Sequence, residues 1–170
     1  CSAENWNHIQ VTDGFTPEHI YHTEFSGNIS LGKFNKVFTL PGGVTRHSGL
    51  RHVKLHNVTV GDNTLIENVQ NYIANYEIGS DTFISNANVI LTDCRSTFGN
   101  GTEVSVLNET GGREVSINNK LSAHLAYIMA LYRHHPLLKE RIKEIVDNYS
   151  EKHASTIGSI GNHVTIVNQQ

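Results

Sequence analysis

Across residues 60–95 large apolar or aromatic side chains recur every six positions, at Val60, Ile66, Tyr72, Ile78, Ile84 and Ile90. The segments VGDNTLIENVQNYIANYE (60–77) and IGSDTFISNANVILTDCR (78–95) align at a spacing of 18. Gly61 then falls on Gly79, Thr64 on Thr82 and Asn68 on Asn86, while Asn57, Asn75 and Asp93 form another series. A six-residue step taken three times is not a helical period. It predicts short strands separated by sharp corners, three to a coil, with one large aliphatic side chain turned inward at each step. Asn, Asp and Gly suit corners because they tolerate left-handed backbone. Repeats that bury their faces only against neighbours build a solenoid.

The flanks read differently. Residues 1–49 are irregular, with FSGNISLG (25–32) as a coil edge in which Ile29, Leu31 and Gly32 are placed like Val58, Val60 and Gly61. Regular coils are expected over 50–117. In 118–154 the pattern turns helical. Leu121, Leu125, Ile128 and Tyr132 fall on one face, Ser122, Ala123, Ala126 and Ala130 on a second, and no Asp, Glu, Lys or Arg occurs from Leu121 to Tyr132. This first helix is expected to be largely buried. Pro136 starts a second, whose stripe of Leu138, Ile142, Ile145 and Tyr149 lies amid charged residues and predicts an exposed amphipathic helix. The repeat is expected to resume over 155–170, at IGNHVTI (160–166), and to break off in mid-coil.

VGDNTLI, IGSDTFI and IGNHVTI resemble the hexapeptide repeats of the left-handed parallel β-helix superfamily, which includes trimeric acyltransferases and tail domains of sugar-nucleotide pyrophosphorylases. The resemblance implies a mainly β fold, a left-handed parallel β-helix (a single-stranded solenoid) with a two-helix insertion. FSGNISLGKF, FGNGTEVSVLNETGGREV and LSAHLAYIMALYRHH further resemble an uncharacterised family of larger bacterial hexapeptide-repeat proteins, so this chain is expected to be part of a longer one. By superfamily analogy it is transferase-like, acting on a nucleotide-linked sugar or using an acyl-CoA donor, and a homotrimer. The alternative is a non-catalytic scaffold or oligomerisation module.

Composition narrows the field. With 38% hydrophobic and 17% charged residues the chain is globular. A net charge of −3 with interspersed signs excludes the basic footprint of a nucleic-acid binder. No apolar run approaches the roughly 20 residues of a membrane helix. The 11 histidines show no HExxH or CxxC spacing, so a dedicated metal site has no sequence support, and the cofactor is left open. Two cysteines, Cys1 and Cys94, suit a reducing, cytoplasmic compartment. Cys94 aligns with Val58 and Tyr76 and is expected to be packed. A chain starting at Cys1 is either partial or processed, or carries a lipidated terminus.

Two places hold candidate chemistry. His124, on the uncharged helix with Lys120, Tyr127 and His134 at helical spacing, is the candidate general base, against a plain hydrogen-bonded histidine. The segment LNETGGREV (107–115) leaves the last regular coil. Gly111 and Gly112 allow a sharp reversal there. Arg113 offers a planar fork that either pairs with Glu109 or Glu114 to lock the corner, or joins the glycine amides in holding an anionic ligand beside His124.

Overall fold

The computed structural model describes residues 1–106, 114–132 and 134–168. They form two compact units, 1–93 with 156–170, and 94–155.

The larger unit opens with β1 (Ser2–Ala3), β2 (Ile9–Val11) and the long β3 (Ile20–Leu31). A hairpin of β4 (Val37–Thr39) and β5 (Thr45–His47) precedes the equally long β6 (Gly49–Val60). Then come β7 (Leu65–Glu67), β8 (Tyr72–Ile78), β9 (Phe83–Ser85) and β10 (Val89–Leu91). The smaller unit holds β11 (Glu103–Ser105), β12 (Glu114–Ser116), α1 (Ala123–Leu131) and α2 (Pro136–His153). The chain returns to the larger unit with β13 (Gly158–Ile160) and β14 (Thr165–Val167).

Ten of the strands hydrogen-bond as one parallel sheet. Its main path runs β1-β3-β6-β7-β9-β14, with β2 on β3, and β8 joining β6 to both β10 and β13. This topology corrects the expected left-handed parallel β-helix: the strands make a multi-strand parallel sheet, not a single-stranded solenoid. The two longest members, β3 and β6, each run through 12 residues, twice the six-residue step expected between corners. The reason is that a recurrence fixes which residues lie side by side, not how the paired strands close.

Lateral pairing does follow the recurrence. Leu55, Val58 and Val60 pair with Ile73, Tyr76 and Ile78, and Leu65 and Ile66 with Phe83 and Ile84. Ile29 and Leu31 pair with Val58 and Val60, and IGNHVTI sets Ile160 and Ile166 beside Ile78 and Ile84. Of the recurring positions, Val60, Ile66, Ile78, Ile84 and Ile90 share one buried cluster with Leu50 and Leu55, whereas Tyr72 is exposed and the adjacent Ile73 is buried instead. At the glycines the backbones nearly touch. A methyl group on Gly61 would stand 2.7 Å from the carbonyl carbon of Gly79, and one on Gly79 would stand 2.6 Å from that of Gly161.

Local registers differ from the expected spacing: the first residues of β6 pair with β7 at 16 residues, as in Leu50 with Ile66. Contacts from β6 to β8 join residues 18 apart, as where Asn57 Nδ2 donates to Asn75 Oδ1, but those from β8 to β10 join residues 17 apart, as where Asn75 Nδ2 donates to the Thr92 carbonyl. Thr92, not Asp93, therefore continues the asparagine series. The slip also removes Cys94 from the packed position of Val58 and Tyr76: it is exposed, with φ of +54°.

The smaller unit is organised by local rules. Ser122 caps α1, its Oγ accepting from the Leu125 amide at 3.2 Å. Pro136 occupies the first turn of α2, where its missing N–H costs nothing. Met129 and Ala130 of α1 and Ile142 and Val146 of α2 pack with Val115 of β12. Leu125, Ala126 and Ile128 are half-buried, so α1 is the more covered helix, yet His124 and Tyr127 stay exposed. The buried stripe of α2 is Ile142, Val146 and Ser150, one position round from the expected Ile142, Ile145 and Tyr149 line. Ser150 is small and bonds back to the Val146 carbonyl at 2.8 Å, which leaves room for the backbone of Gly101. Ile145 is left 56% exposed.

Three substitutions test this packing by urea denaturation. Ile84→Ala removes fully buried methylenes and is expected to cost about 2–5 kcal/mol, against less than about 0.5 kcal/mol for Ile145→Ala. Gly79→Ala forces neighbouring backbone apart and is expected to cost about 1–3 kcal/mol.

Candidate functional site

In the larger unit a cleft of about 430 Å³ is lined by Glu24, Ser26, Lys54, His56 and Tyr72 with the first residues of the chain. Register builds it. Glu24 pairs with Lys54 and Ser26 with His56 across β3 and β6, which puts the Lys54 ammonium 3.1 Å from the Glu24 carboxylate. The Ser26 hydroxyl lies 2.8 Å from His56 Nδ1. On its other side His56 Nε2 lies 3.0 Å from the Asn57 amide nitrogen. The arrangement has the outline of a serine–histidine–amide relay.

Proton positions decide what it does. The Asn28 amide donates to Asn57 Oδ1 at 2.9 Å, which fixes the side-chain amide with its NH₂ toward His56 and the Asn75 oxygen. His56 Nε2 therefore accepts, and its proton stands on Nδ1. Nδ1–H donates to Ser26 Oγ, and that hydroxyl donates to the Leu55 carbonyl at 3.4 Å. A general base would need the opposite polarity, an unprotonated nitrogen facing the hydroxyl. The cluster is built to hold the bend at Asn57, whose φ is +51°.

The smaller unit carries a second cleft, of about 250 Å³, lined by Glu103, Glu114, Ser116, Met129, Lys139 and Lys143. Lys143 reaches Glu103 at 3.6 Å across it. Of the candidates read from the sequence, Glu114 lines this cleft as the first residue of β12, opposite Ser105. Glu109, Gly111, Gly112 and Arg113 lie outside the described residues. His124 is in the first turn of α1 and does not line the cleft. Of its expected neighbours, Tyr127 is at helical spacing within α1, but α1 starts after Lys120 and ends before His134. Lys120 instead has its amide bonded to Asn118 Oδ1, and the His134 ring stacks near Tyr132 and His135.

Ionic contacts elsewhere in the larger unit are structural. Lys36 Nζ bonds Asp81 at 2.7 Å. That bond, with the Lys36 and His163 charges, holds the Asp81 carboxyl below 3.8 despite opposing desolvation. Among the described residues no group of three or more His, Cys, Asp or Glu side chains is placed to hold a metal ion. No described helix is long and apolar enough to cross a membrane.

Ser26 was missed by reading the sequence alone, because a one-residue irregularity between Ser26 and Ile29 shifts the pairing of β3 with β6. Two measurements check the resulting network. Nitrogen-15 spectra are expected to show His56 protonated at Nδ1, with that preference lost in Asn57→Ala. Lys36→Met is expected to return the Asp81 pKa toward 3.8. Stability linked to Asp81 is present above about pH 3.8 and lost as pH falls through the lowered folded value, so the variant should lose less on acidification.

Comparison with known proteins follows the whole length of the chain. The family model described as "Domain of unknown function (DUF4954)" matches residues 1–170. An uncharacterised protein of Treponema pallidum (strain Nichols) is 24% identical over 169 residues, covering 93% of this chain. The chain spans 23% of that relative's length. No solved structure matches. From Cys1 to Gln170, sheet and helices together, the chain belongs to the DUF4954 family.

Proposed function

We propose that the chain is a non-catalytic assembly module of a larger protein, and that it self-associates through the apolar surface of α1 and α2. The observation that carries this reading is the exposed apolar surface of those helices. Leu137 is 80% exposed, Tyr127 59% and Ile145 56%, with Leu131, Tyr132 and Leu138 also open. Apolar groups gathered on two adjacent helices mark an interaction surface more often than isolated ones do. A homotrimer is the state proposed for this association.

A non-catalytic role also fits the use made of polar side chains. Asn57, Asp62, Asn63 and Asn162 each accept a backbone N–H from a neighbouring segment. Thr64 and Thr82 donate to the carbonyls of Gly79 and Gly161. The transferase-like alternative, with a nucleotide-linked sugar or acyl-CoA as ligand, would need a base, and His124 stands on an exposed helix face with no hydrogen-bond or ionic partner among the described residues.

Sedimentation equilibrium is expected to show concentration-dependent association in the micromolar range, abolished by Leu137→Glu with Ile145→Glu. A monomer at every concentration would end the assembly reading. Nucleotide sugars and acyl-coenzyme A are expected to leave the melting temperature unchanged. A ligand at 100 times its dissociation constant would add about 2.7 kcal/mol, and such a rise would favour the transferase-like alternative.

A further inference from the structure

Left-handed residues form a ladder across the larger unit. Asn68, Asn86 and Asn168 have φ of +54°, +53° and +57°, and their amides bond the carbonyls of Arg51, Glu67 and Ser85 in turn. Traced the other way through the register, the ladder continues at His52 and His22, with φ of +51° and +47°. These two follow the paired residues Arg51 and Tyr21. Asparagine is common in this conformation because its short amide hydrogen-bonds locally. Here the last two rungs carry imidazoles, and their rings stack at 4.8 Å with 11° between planes.

A second pair lies at the same end. His19, closing the turn before β3, stacks on His47 of β5 at 3.5 Å and 20°. His47 Nδ1 donates to the Ser48 carbonyl at 3.0 Å. The two stacks bracket the first pairs of the longest parallel contact, Ile20 with Leu50 and Tyr21 with Arg51. Arg51 is charged at any relevant pH. Its guanidinium bonds the His47 carbonyl, stands 3.7 Å from Glu67 and faces the Tyr21 ring.

We propose that this end of the sheet is an acid-responsive seam, in which protonation of the stacked imidazoles beside Arg51 separates the first pairs of β3 and β6. Two imidazolium rings at stacking distance repel each other, whereas neutral rings pack. The carboxylates nearby are few. Glu18, on the turn that carries His19, favours protonation, and Glu67, on β7, is shared with Arg51. Burial, then the facing His47, hold the His19 pKa below 6.5, Arg51 adding to them and Glu18 opposing. The linkage therefore has a definite sign. The opened form binds the proton more readily, so the stability tied to His19 is present above about pH 6.5 and lost as pH falls through the lowered folded value. Histidine is the side chain whose charge ordinarily changes in this range.

The test is residue-resolved amide exchange on the intact protein, expressed as protection factors so that the intrinsic effect of pH is removed. Between pH 7.5 and 5.5, protection at Tyr21, Thr23 and Val53 is expected to fall at least tenfold, while Leu65–Glu67 and Phe83–Ser85 hold theirs. His22→Asn with His52→Asn keeps a side chain suited to the left-handed rungs. Adding His19→Asn and His47→Asn is expected to abolish the pH-dependent loss. A loss that persists without the four imidazoles, or no loss in the natural sequence, overturns the proposal. If the fourfold variant does not fold, ring titrations of the natural protein decide. Two separated steps for the His19–His47 pair, tracking the loss of protection, support the seam. Independent titrations with protection unchanged refute it.

Discussion

Residues 17 or 18 apart in sequence must lie side by side in the larger unit, and most other features follow from that requirement. Parallel strands cannot be joined by tight hairpins, so each lateral neighbour is reached only after a long stretch of chain, as from Leu50 to Ile66, from Leu55 to Ile73 or from Ile29 to Val58. Once the length is fixed, like falls on like. Aliphatic residues stack into one interior, with Leu50, Leu65, Ile66, Ile73 and Ile84 fully buried. Glycines stack where backbones nearly touch. Asparagines and one aspartate take most of the non-glycine left-handed positions, which L side chains rarely adopt, and His22, His52 and His163 take the others in this unit.

The same requirement uses up the polar side chains. At each bend the strand pairing is interrupted, and a backbone N–H would be left without a partner. Side-chain oxygens of Asn57, Asp62, Asn63 and Asn162 fill that role. His56 is held in one tautomer by the same logic, because the amide of Asn57 is already oriented by the Asn28 N–H. A serine beside a histidine thus becomes part of a bend. Where the ladder changes from asparagine to His52 and His22, the bends carry two stacked imidazoles.

The smaller unit obeys a different constraint. Its helices are stabilised locally, by the Ser122 cap and by Pro136 at the start of α2, and its interior is small. Such an interior covers only part of the apolar side chains of the two helices. The side chains left open on them, Leu137 above all, are what makes a partner surface the economical reading.

Periodicity alone identified the lateral neighbours. Gly61 with Gly79, Val58 with Tyr76 and the return of IGNHVTI beside β8 and β9 were legible, because a repeat spacing is a direct image of parallel register. The existence of two helices broken at Pro136 was legible for a similar reason, since helical periodicity and proline are local signals. How the strands join was not: six-residue spacing suggested a solenoid, whereas the hydrogen bonds define a multi-strand parallel sheet with two 12-residue members. Nor were the 17-residue step that exposes Cys94, the rotation of the α2 stripe toward Ser150, or the meeting of Ser26 with His56. Each depends on a shift of one residue or on a backbone approaching a small side chain. Spacing is a property of the chain, but closure and one-residue slips are settled only when distant segments compete for the same space.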